Sequence, residues 1–350
     1  MEAFVQTPLH RSLIRSKKLT TSLKPKQIHF SKISMNSLRE PRKENVLGGP
    51  GLYVDSTCID CDTCRWLQPN FFTRKGDQSA VYKQPQTREE RLEALKAVTA
   101  CPTGSIAMKE ATPEERKIAR DSFPLPIEGV ENTYYLYGSR YTFGCAAYLV
   151  VRPNGESVMF DCPRFNEKLA KSIEKLTGVG GVKYLVMSHR DDVAGHDKWA
   201  KRLGCKRILH QADVSSSQKT DEVEIQLTDE AFGENGKGFW ELDADGLKVI
   251  SVRGHTRGSI ALYDTKTLAL FTGDHVMGRR ITGRLGAGSR YNQDSWQRQI
   301  DNVAKLEEIE FRAVLPGHGR PMFWDNEKDR IQSVRMAVED MKNENLSLVW

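Results

Sequence analysis

The segment GHTRGSI, residues 254–260, follows the apolar run 247–252 and places His255 directly after a predicted strand. The same arrangement recurs in FTGDHV (271–276) and in LPGHGRP (315–321). In each segment an apolar strand runs into a glycine-containing turn that carries a histidine or an aspartate. Such turns lie at the rim of a sheet, where side chains from separate strands converge. The pattern predicts a metal site assembled at one edge of a sheet.

These segments resemble three motifs of the metallo-β-lactamase superfamily, G-H-T-P-G-S, T-G-D-x-L/V and P-G-H-G. The strand pair around FGCAAYLV and VMFDCP (143–163) resembles the opening hairpin of that fold, with Asp161 in its usual acidic position. The resemblance implies an αββα fold. It also implies that His255, Asp274 and His318 are metal ligands, and that Asp274 is the bridging carboxylate when two metals are bound.

The first motif of the family, H-x-H-x-D-H, is altered in this chain, which reads HRDDVAGH over residues 189–196. Asp191 stands in the place of the second histidine. Without a gap, Val193 and Ala194 replace the aspartate and the last histidine. With one residue deleted, Asp192 takes the aspartate position, but Val193 still displaces a histidine. The ligand set for two metals is therefore incomplete in either alignment.

A helix that starts near Asp192 would place this residue and His196 one turn apart, within reach of one ion. We therefore expect one ion held by His189, by His196 or an aspartate, and by His255 and Asp274. The candidate metal ligands are His189, Asp191, Asp192, His196, His255, Asp274 and His318. Mixed imidazole and carboxylate ligands suit zinc, iron or manganese. The alternative is a degenerate site that binds no metal and remains as a scaffold.

A second group of candidate ligands lies in CIDCDTCRWLQP, residues 58–69, with the spacing C-x2-C-x2-C. Closely spaced thiolates bind three corners of a cubane, and a distant cysteine beside a proline completes the set. The segment resembles the bacterial-type ferredoxin pattern C-x2-C-x2-C-x3-C-P, with Gln68 in place of the last cysteine. We predict one 4Fe–4S cluster, with a tetrahedral zinc site as the alternative. The predicted ligands are Cys58, Cys61, Cys64 and Cys101.

The other cysteines, Cys145, Cys162 and Cys205, stand alone in the sequence. We interpret them as small buried hydrophobic residues.

The net charge of +6 is concentrated at the N-terminus, because residues 1–40 hold eight basic and two acidic residues and the remainder is neutral. We therefore expect no nucleic-acid binding. The N-terminal segment is rich in Ser and Thr and lacks an apolar signal core, which is typical of an organelle transit peptide. We favour the chloroplast over the mitochondrion; the alternative is a disordered basic tail of a cytosolic protein. No apolar run is long enough to span a membrane.

The predicted fold class is α+β, with a small ferredoxin-like domain followed by a larger αββα domain. The predicted transit peptide covers residues 1–45, the ferredoxin-like domain 50–110, a helical connector 111–130 and the larger domain 131–345. The connector ends in FPLP, whose alternating prolines stop a helix. Beyond it, short β-rich runs are mixed with helical stretches, which indicates a layered architecture.

The family resemblance implies hydrolysis of a small-molecule substrate by a metal-activated water, with Asp274 or Asp192 orienting the nucleophile. The loop RRITGRLGAGSR (279–290) suggests an anionic ester or thioester, because its arginines suit a carboxylate or phosphate. The alternative is that these arginines are simply solvated. The arginines of the loop are Arg279, Arg280, Arg284 and Arg290.

The predicted cluster supports a second hypothesis, since a hydrolase needs no electrons. In that hypothesis the protein is an oxidoreductase that uses iron at the second site and exchanges electrons with a partner protein. A third hypothesis is a non-catalytic assembly or regulatory factor that carries the cluster.

Overall fold

The computed structural model describes residues 39–233, 238–243 and 245–343. Its first part is a small module of two antiparallel strand pairs and two helices. The strands are β1 (Leu52–Val54) paired with β4 (Ile106–Met108), and β2 (Phe72–Lys75) paired with β3 (Gln78–Val81); the helices are α1 (Thr63–Leu67) and α2 (Arg88–Ala100). Leu52, Leu95 and Met108 are buried in its core, to which Cys64 and Cys101 also belong. The predicted cluster ligands are thus part of the packing of the module.

Residues 39–45 belong to this module, although the sequence assigned them to the transit peptide. The Asn45 side chain donates to the Val54 carbonyl at 2.9 Å and accepts from the amides of Val54 and Val81, each at 3.0 Å. Because Asn45 is buried, its removal would leave buried backbone groups unpaired. Residues 1–38, the remainder of the predicted transit peptide, lie outside the described part of the chain.

The connector packs on the small module. Its helix α3 (Pro113–Asp121) begins with a complete capping box. Glu115 of this helix accepts two hydrogen bonds from Arg91 of α2, at 2.7 and 3.0 Å. The chain then enters the larger domain at β5 (Leu125–Pro126), earlier than the predicted start at 131. The connector is therefore a fixed spacer between the two domains.

The larger domain contains two mixed sheets. The first joins β5 to β6 (Thr133–Tyr135), β7 (Tyr148–Val150), β8 (Ser157–Phe160), β9 (Val182–Val186), β10 (Lys206–His210) and β11 (Ile225–Leu227), in the order β11-β10-β9-β8-β7-β6-β5. The second contains β12 (Phe239–Glu241), β13 (Leu247–Ser251), β14 (Ile260–Asp264), β15 (Ala269–Gly273), β18 (Ala313–Pro316) and β19 (Met322–Phe323), in the order β12-β13-β14-β15-β18-β19. A short hairpin of β16 (Met277–Gly278) and β17 (Leu285–Gly286) precedes β18.

Helices flank the two sheets: α4 (Glu167–Thr177) and α5 (His196–Leu203) on the first, α6 (Trp296–Lys305) and α7 (Glu327–Lys342) on the second. Between the sheets the rings of Phe160 and Phe271 pack with their centroids 5.8 Å apart. The opposite face of the second sheet contributes Leu270 to a separate core with Val303 and Val334 of its helices. This is the predicted αββα architecture, and the α+β fold class is confirmed. No helix in the described ranges is long and apolar enough to cross a membrane.

One local prediction is wrong. The sequence suggested a helix beginning near Asp192, but Asp192 ends a short 3-10 turn and α5 begins only at His196. Gly195 precedes α5 with a φ of +88°, so the chain changes direction between the two residues. Asp192 and His196 therefore do not share one helical face.

Candidate metal centres

The loops that carry the best-matched ligands meet at one end of the sandwich. His189 follows β9, His255 lies in the turn between β13 and β14, Asp274 follows β15, and His318 follows β18. Because β15 and β18 are parallel, their carboxyl ends reach the same edge of the sheet. Strand direction thus brings residues from distant parts of the chain together.

His189, His255 and Asp274 form a compact group whose ligand atoms lie within 4.8 Å of one another. Asp274 Oδ2 is 3.8 Å from His189 Nε2 and 3.7 Å from His255 Nε2. Asp191 Oδ2 is 3.6 and 3.5 Å from the same two nitrogens. These distances are too long for good hydrogen bonds, but they approach the roughly 3.4 Å between ligands that share an ion at about 2.1 Å. The group has the donor set of a cation site.

A second group lies beside the first and consists of Cys145, Asp192 and His318, also within 4.8 Å of one another. Asp274 lies between the two groups, since its Oδ2 is 3.8 Å from His318 Nε2 as well. Of the two aspartates of the altered motif, Asp191 approaches the first group. Asp192 belongs to the second group, and its Oδ2 also lies 3.7 Å from His189 Nε2 of the first.

Both groups hold buried polar atoms that make no hydrogen bond within the described chain. These atoms are His189 Nε2, His255 Nε2, Asp192 Oδ2 and Asp274 Oδ1. Each such atom costs about 1–3 kcal/mol when left unpaired, so a cluster of them fits a bound cation. Burial also lowers the pKa of His189 to about 4, which keeps the imidazole in the neutral form that binds metals. The residues present therefore fit a divalent metal.

The orientation of His189 is set from behind the site. Its Nδ1 pairs with Ser188 Oγ at 2.8 Å, which leaves Nε2 directed at the ligand group. Asp161 accepts from the Ser188 amide at 2.7 Å. Because Asp161 belongs to neither ligand group, we interpret it as a positioning residue.

Asp213 is a positioning residue that the sequence did not reveal. It is buried, and its Oδ2 accepts from the Arg190 amide at 3.0 Å and from the Thr256 hydroxyl at 2.6 Å. Its Oδ1 accepts from the Gly258 amide at 3.0 Å. The carboxylate thus joins the loop of His189 to the loop of His255. No motif marks it, and the only local signal is an acidic residue soon after an apolar strand.

His196 lies outside both ligand groups. Its Nε2 pairs with the Gln218 carbonyl at 3.0 Å, and its Nδ1 with Arg207 Nη1 at 3.1 Å. Since the guanidinium only donates, Nδ1 accepts and Nε2–H donates. Both ring nitrogens are occupied, and the structure does not bring this residue to the metal site.

The four cysteines of the small module lie near one another but do not form a compact group of three sulfurs. Burial raises the pKa of Cys61 to about 12, with further contributions from the nearby Cys101 and Cys58. No three of these sulfurs, all of which the structure describes, lie within 4.8 Å of one another. Four thiolates around one zinc at about 2.3 Å would be roughly 3.8 Å apart. A cubane does not require so close a spacing, because each sulfur binds a different iron.

Gln68, which occupies the place of the usual last cysteine, has a structural role. It is buried, and its Nε2 donates to Glu93 Oε2 of α2 at 2.9 Å. This contact ties the end of the cysteine loop to the main helix of the module.

Arginines of the larger domain bind the loop that carries the cysteines. Arg320, in the LPGHGRP segment, donates to Asp62 Oδ2 at 2.7 Å, and Arg280 pairs with Asp60 at 3.2 Å. Both aspartates belong to CIDCDTC, and Asp62 is almost completely buried. Arg280 is one of the loop arginines suited to an anionic substrate, and its ion pair with Asp60 joins the two domains. The loop of one predicted metal ligand is thus fastened to the loop of the predicted cluster.

A cavity of about 860 Å³ lies where the two domains meet. Cys61 lines it from the small module and Arg290 from the arginine loop. The metal-site residues that line it are Asp191, Asp192, His255, Asp274 and His318. Gly144 allows the close approach, because a Cβ at this position would lie 2.9 Å from Cys61 Cβ. The two candidate centres therefore face one common space.

Comparison with known families supports the small module. Residues 54–108 match the family described as the 4Fe-4S single cluster domain of Ferredoxin I. The match contains all four predicted cysteine ligands, and the iron–sulfur module is confirmed. No curated protein matches this chain.

Solved structures similar to this chain include several metallo-β-lactamases. The DIM-1 metallo-beta-lactamase is 20% identical over 59% of this chain and 94% of its own, with a TM-score of 0.43. A metallo-beta-lactamase from Erythrobacter litoralis is 15% identical over 62% and 99%, with a TM-score of 0.45. A metallo-beta-lactamase family protein from Thermus thermophilus is 18% identical over 61% and 78%, with a TM-score of 0.41.

Proposed function

We propose that this protein is an oxidoreductase in which a 4Fe–4S cluster exchanges single electrons with iron bound at the His189, His255 and Asp274 site. The observation that carries the proposal is the common cavity, lined by Cys61 on one side and by the metal-site residues on the other. When bound, a 4Fe–4S cluster supplies or accepts one electron at a time. Hydrolysis requires no electron transfer and therefore does not account for a cluster ligand at this cavity.

The short path between the centres supports the same proposal. The backbone of Gly144 lies close to Cys61, since a Cβ on Gly144 would be 2.9 Å from Cys61 Cβ. The next residue, Cys145, belongs to the second ligand group. Electron tunnelling weakens steeply with distance, so a route of one van der Waals contact and a few covalent bonds is favourable. The ion pairs of Arg320 with Asp62 and of Arg280 with Asp60 hold this contact in place.

The ligand chemistry is compatible with iron. Two imidazoles and a carboxylate with open positions form the donor set of many non-haem iron sites. The cavity admits a small molecule, and Arg290 at its rim would bind an anionic group of the substrate. We further propose that a separate protein donates or accepts the electrons that pass through the small module.

Hydrolysis is the second candidate, and the partly exposed carboxylate of Asp191 favours it. This carboxylate is only half-buried and lines the cavity beside His255, where it would orient a water molecule. A zinc ion at the same ligands supports hydrolysis but not electron exchange. The identity of the metal therefore separates the two candidates.

A reductive titration of anaerobically purified protein tests the proposal. We expect the wild-type protein to take up clearly more than the roughly one electron per chain that a single cluster accepts. A His255→Ala variant should take up fewer electrons per chain than the wild-type protein, because it retains the cluster but loses the iron at His189, His255 and Asp274. Metal analysis of the same samples should show about one iron fewer per chain in the variant.

Two results would reject the redox proposal. One is zinc, with no excess iron, at the second site of protein that binds its cluster. The other is equal electron uptake by the wild-type protein and the His255→Ala variant. Either result would leave hydrolysis as the better account, provided that the site holds a metal.

We also propose that the N-terminal segment directs the protein to chloroplasts, on the basis of its basic, Ser/Thr-rich composition. A fluorescent reporter behind residues 1–50 is expected to accumulate in chloroplasts of leaf cells. The same reporter behind residues 39–50 should remain in the cytosol, because this shorter fusion lacks most of the basic, Ser/Thr-rich segment. A cytosolic distribution of the longer fusion would refute the proposal, and a mitochondrial one would replace it.

A further inference from the structure

We infer that the Cys145 thiolate is a ligand of a second metal ion, which it binds together with Asp192 and His318. The inference goes beyond the proposed function and does not depend on whether the metal is iron or zinc. It also revises two expectations from the sequence, namely that one ion is bound and that Cys145 is an inert buried residue.

Cys145 supplies a donor where the altered motif lacks one. Val193 stands where the resembled family has a ligand, and it is buried in the hydrophobic core of the domain. Cys145 comes from a different segment, the loop between β6 and β7. Its sulfur, an Asp192 carboxylate oxygen and a His318 ring nitrogen lie within 4.8 Å of one another, close enough to bind one ion.

The surroundings of Cys145 are built to hold it there. The neighbouring Ala146 amide donates to the Gly317 carbonyl at 2.7 Å, which ties the cysteine loop to the loop of His318. A Cβ on Gly317 would lie 2.7 Å from the Cys145 sulfur and 3.0 Å from Asp274 Oδ1. Only glycine leaves room at this position for the sulfur and the carboxylate together.

The environment is polar on the side that the thiol faces. Asp192 is almost completely buried, and its Oδ2 makes no hydrogen bond within the described chain. A cysteine that serves only as a hydrophobic residue is a poor neighbour for a buried carboxylate, because a thiol is a weak hydrogen-bond donor. A cation between them satisfies both, and a thiolate, a carboxylate and an imidazole suit zinc or iron.

The other isolated cysteines provide a contrast. Cys162 and Cys205 are buried in the same hydrophobic core, but neither belongs to a ligand group among the described residues. For these two, the interpretation as small hydrophobic residues agrees with their surroundings. Cys205, which directly precedes β10, is therefore a suitable control.

X-ray absorption at the zinc edge tests the inference on full-length protein that has an intact cluster and is loaded with zinc. We expect about one sulfur neighbour for every two zinc ions, at roughly 2.3 Å, beside nitrogen and oxygen neighbours at about 2.0–2.1 Å. Iron and sulfide must be unchanged in the sample, so that zinc in the cluster cysteines is not the source of the signal. The iron of the cluster does not absorb at this edge.

A Cys145→Ser variant should lose the zinc–sulfur signal, whereas a Cys205→Ser variant should keep it. His318→Ala should also lose the signal and bind about one zinc ion fewer than the wild-type protein, because both ligands serve the same ion. A wild-type spectrum without sulfur neighbours overturns the inference, whatever the folding of the variants. Persistence of the signal in folded Cys145→Ser protein does so as well.

Discussion

Replacement of Cys58 and Cys64 together by alanine is expected to remove the iron–sulfur cluster completely. Acid-labile sulfide should fall from about four per chain to near zero, iron should fall by about four per chain, and the brown colour should disappear. Two ligands are changed at once because a cluster that loses one thiolate can persist with three irons. Metal analysis and visible absorption of anaerobically purified and reconstituted protein provide the measurement.

The loss should also destabilise the small module. Cys64 and Cys101 are part of its core, which is small because the module spans only the matched residues 54–108 and their flanks. Domains of this size bury little apolar surface and are only marginally stable, so a cross-link such as a metal centre stabilises them strongly. Limited proteolysis should therefore cut the variant within the module while the larger domain resists.

Gln68→Ala is the matched control, because it lies in the same loop but points to Glu93 on α2. It should retain full iron and sulfide. If the double cysteine variant kept its acid-labile sulfide, the cluster would have to be bound elsewhere in the chain. If reconstituted wild-type protein held one zinc and no sulfide, the module would be a zinc site.

Replacement of Asp274 by alanine is expected to have the largest effect on the second site. Its Oδ2 lies within 3.8 Å of His189, His255 and His318, so its loss affects both ligand groups. Metal affinity should fall by well over 100-fold, beyond the roughly 10–100-fold typical of residues that only support a ligand. Titration with the metal after chelation provides the measurement.

Two aspartates should separate the groups. Asp191→Asn is expected to weaken the ion at His189 and His255, which its carboxylate approaches. Asp192→Asn should weaken chiefly the ion at Cys145 and His318, and to a smaller extent the other ion, because its Oδ2 also lies 3.7 Å from His189 Nε2. The absorbance of the cluster should persist in both variants, because its cysteine ligands lie in the other domain.

His196→Ala is the matched control for this series. It removes a buried histidine from the same motif, but its ring pairs with Gln218 and Arg207 outside the site. Its metal content should remain that of the wild-type protein, whatever the cost in stability. Unchanged metal content in both Asp274→Ala and His255→Ala proteins would mean that the larger domain is a scaffold, and both enzymatic candidates would fail.

Much of the candidate site could be predicted from the sequence because its ligands follow buried strands in short local patterns. A strand that ends in a glycine turn directs the next side chain to the sheet edge, as it does for His255, Asp274 and His318. Likewise, the spacing of Cys58, Cys61 and Cys64 determines that one loop presents three thiolates. Such features depend on neighbouring residues alone.

Only the tertiary structure decided which other side chains join these ligands. Cys145 and Asp213 carry no motif, and they reach the site because the β6–β7 loop and the end of β10 pack against the ligand loops. His196 has favourable spacing to Asp192, but the turn at Gly195 directs it away. The pairing of Arg320 with Asp62, which joins the two domains, spans most of the chain. Contacts of this range arise from the packing of whole elements, and no local spacing in the sequence records them.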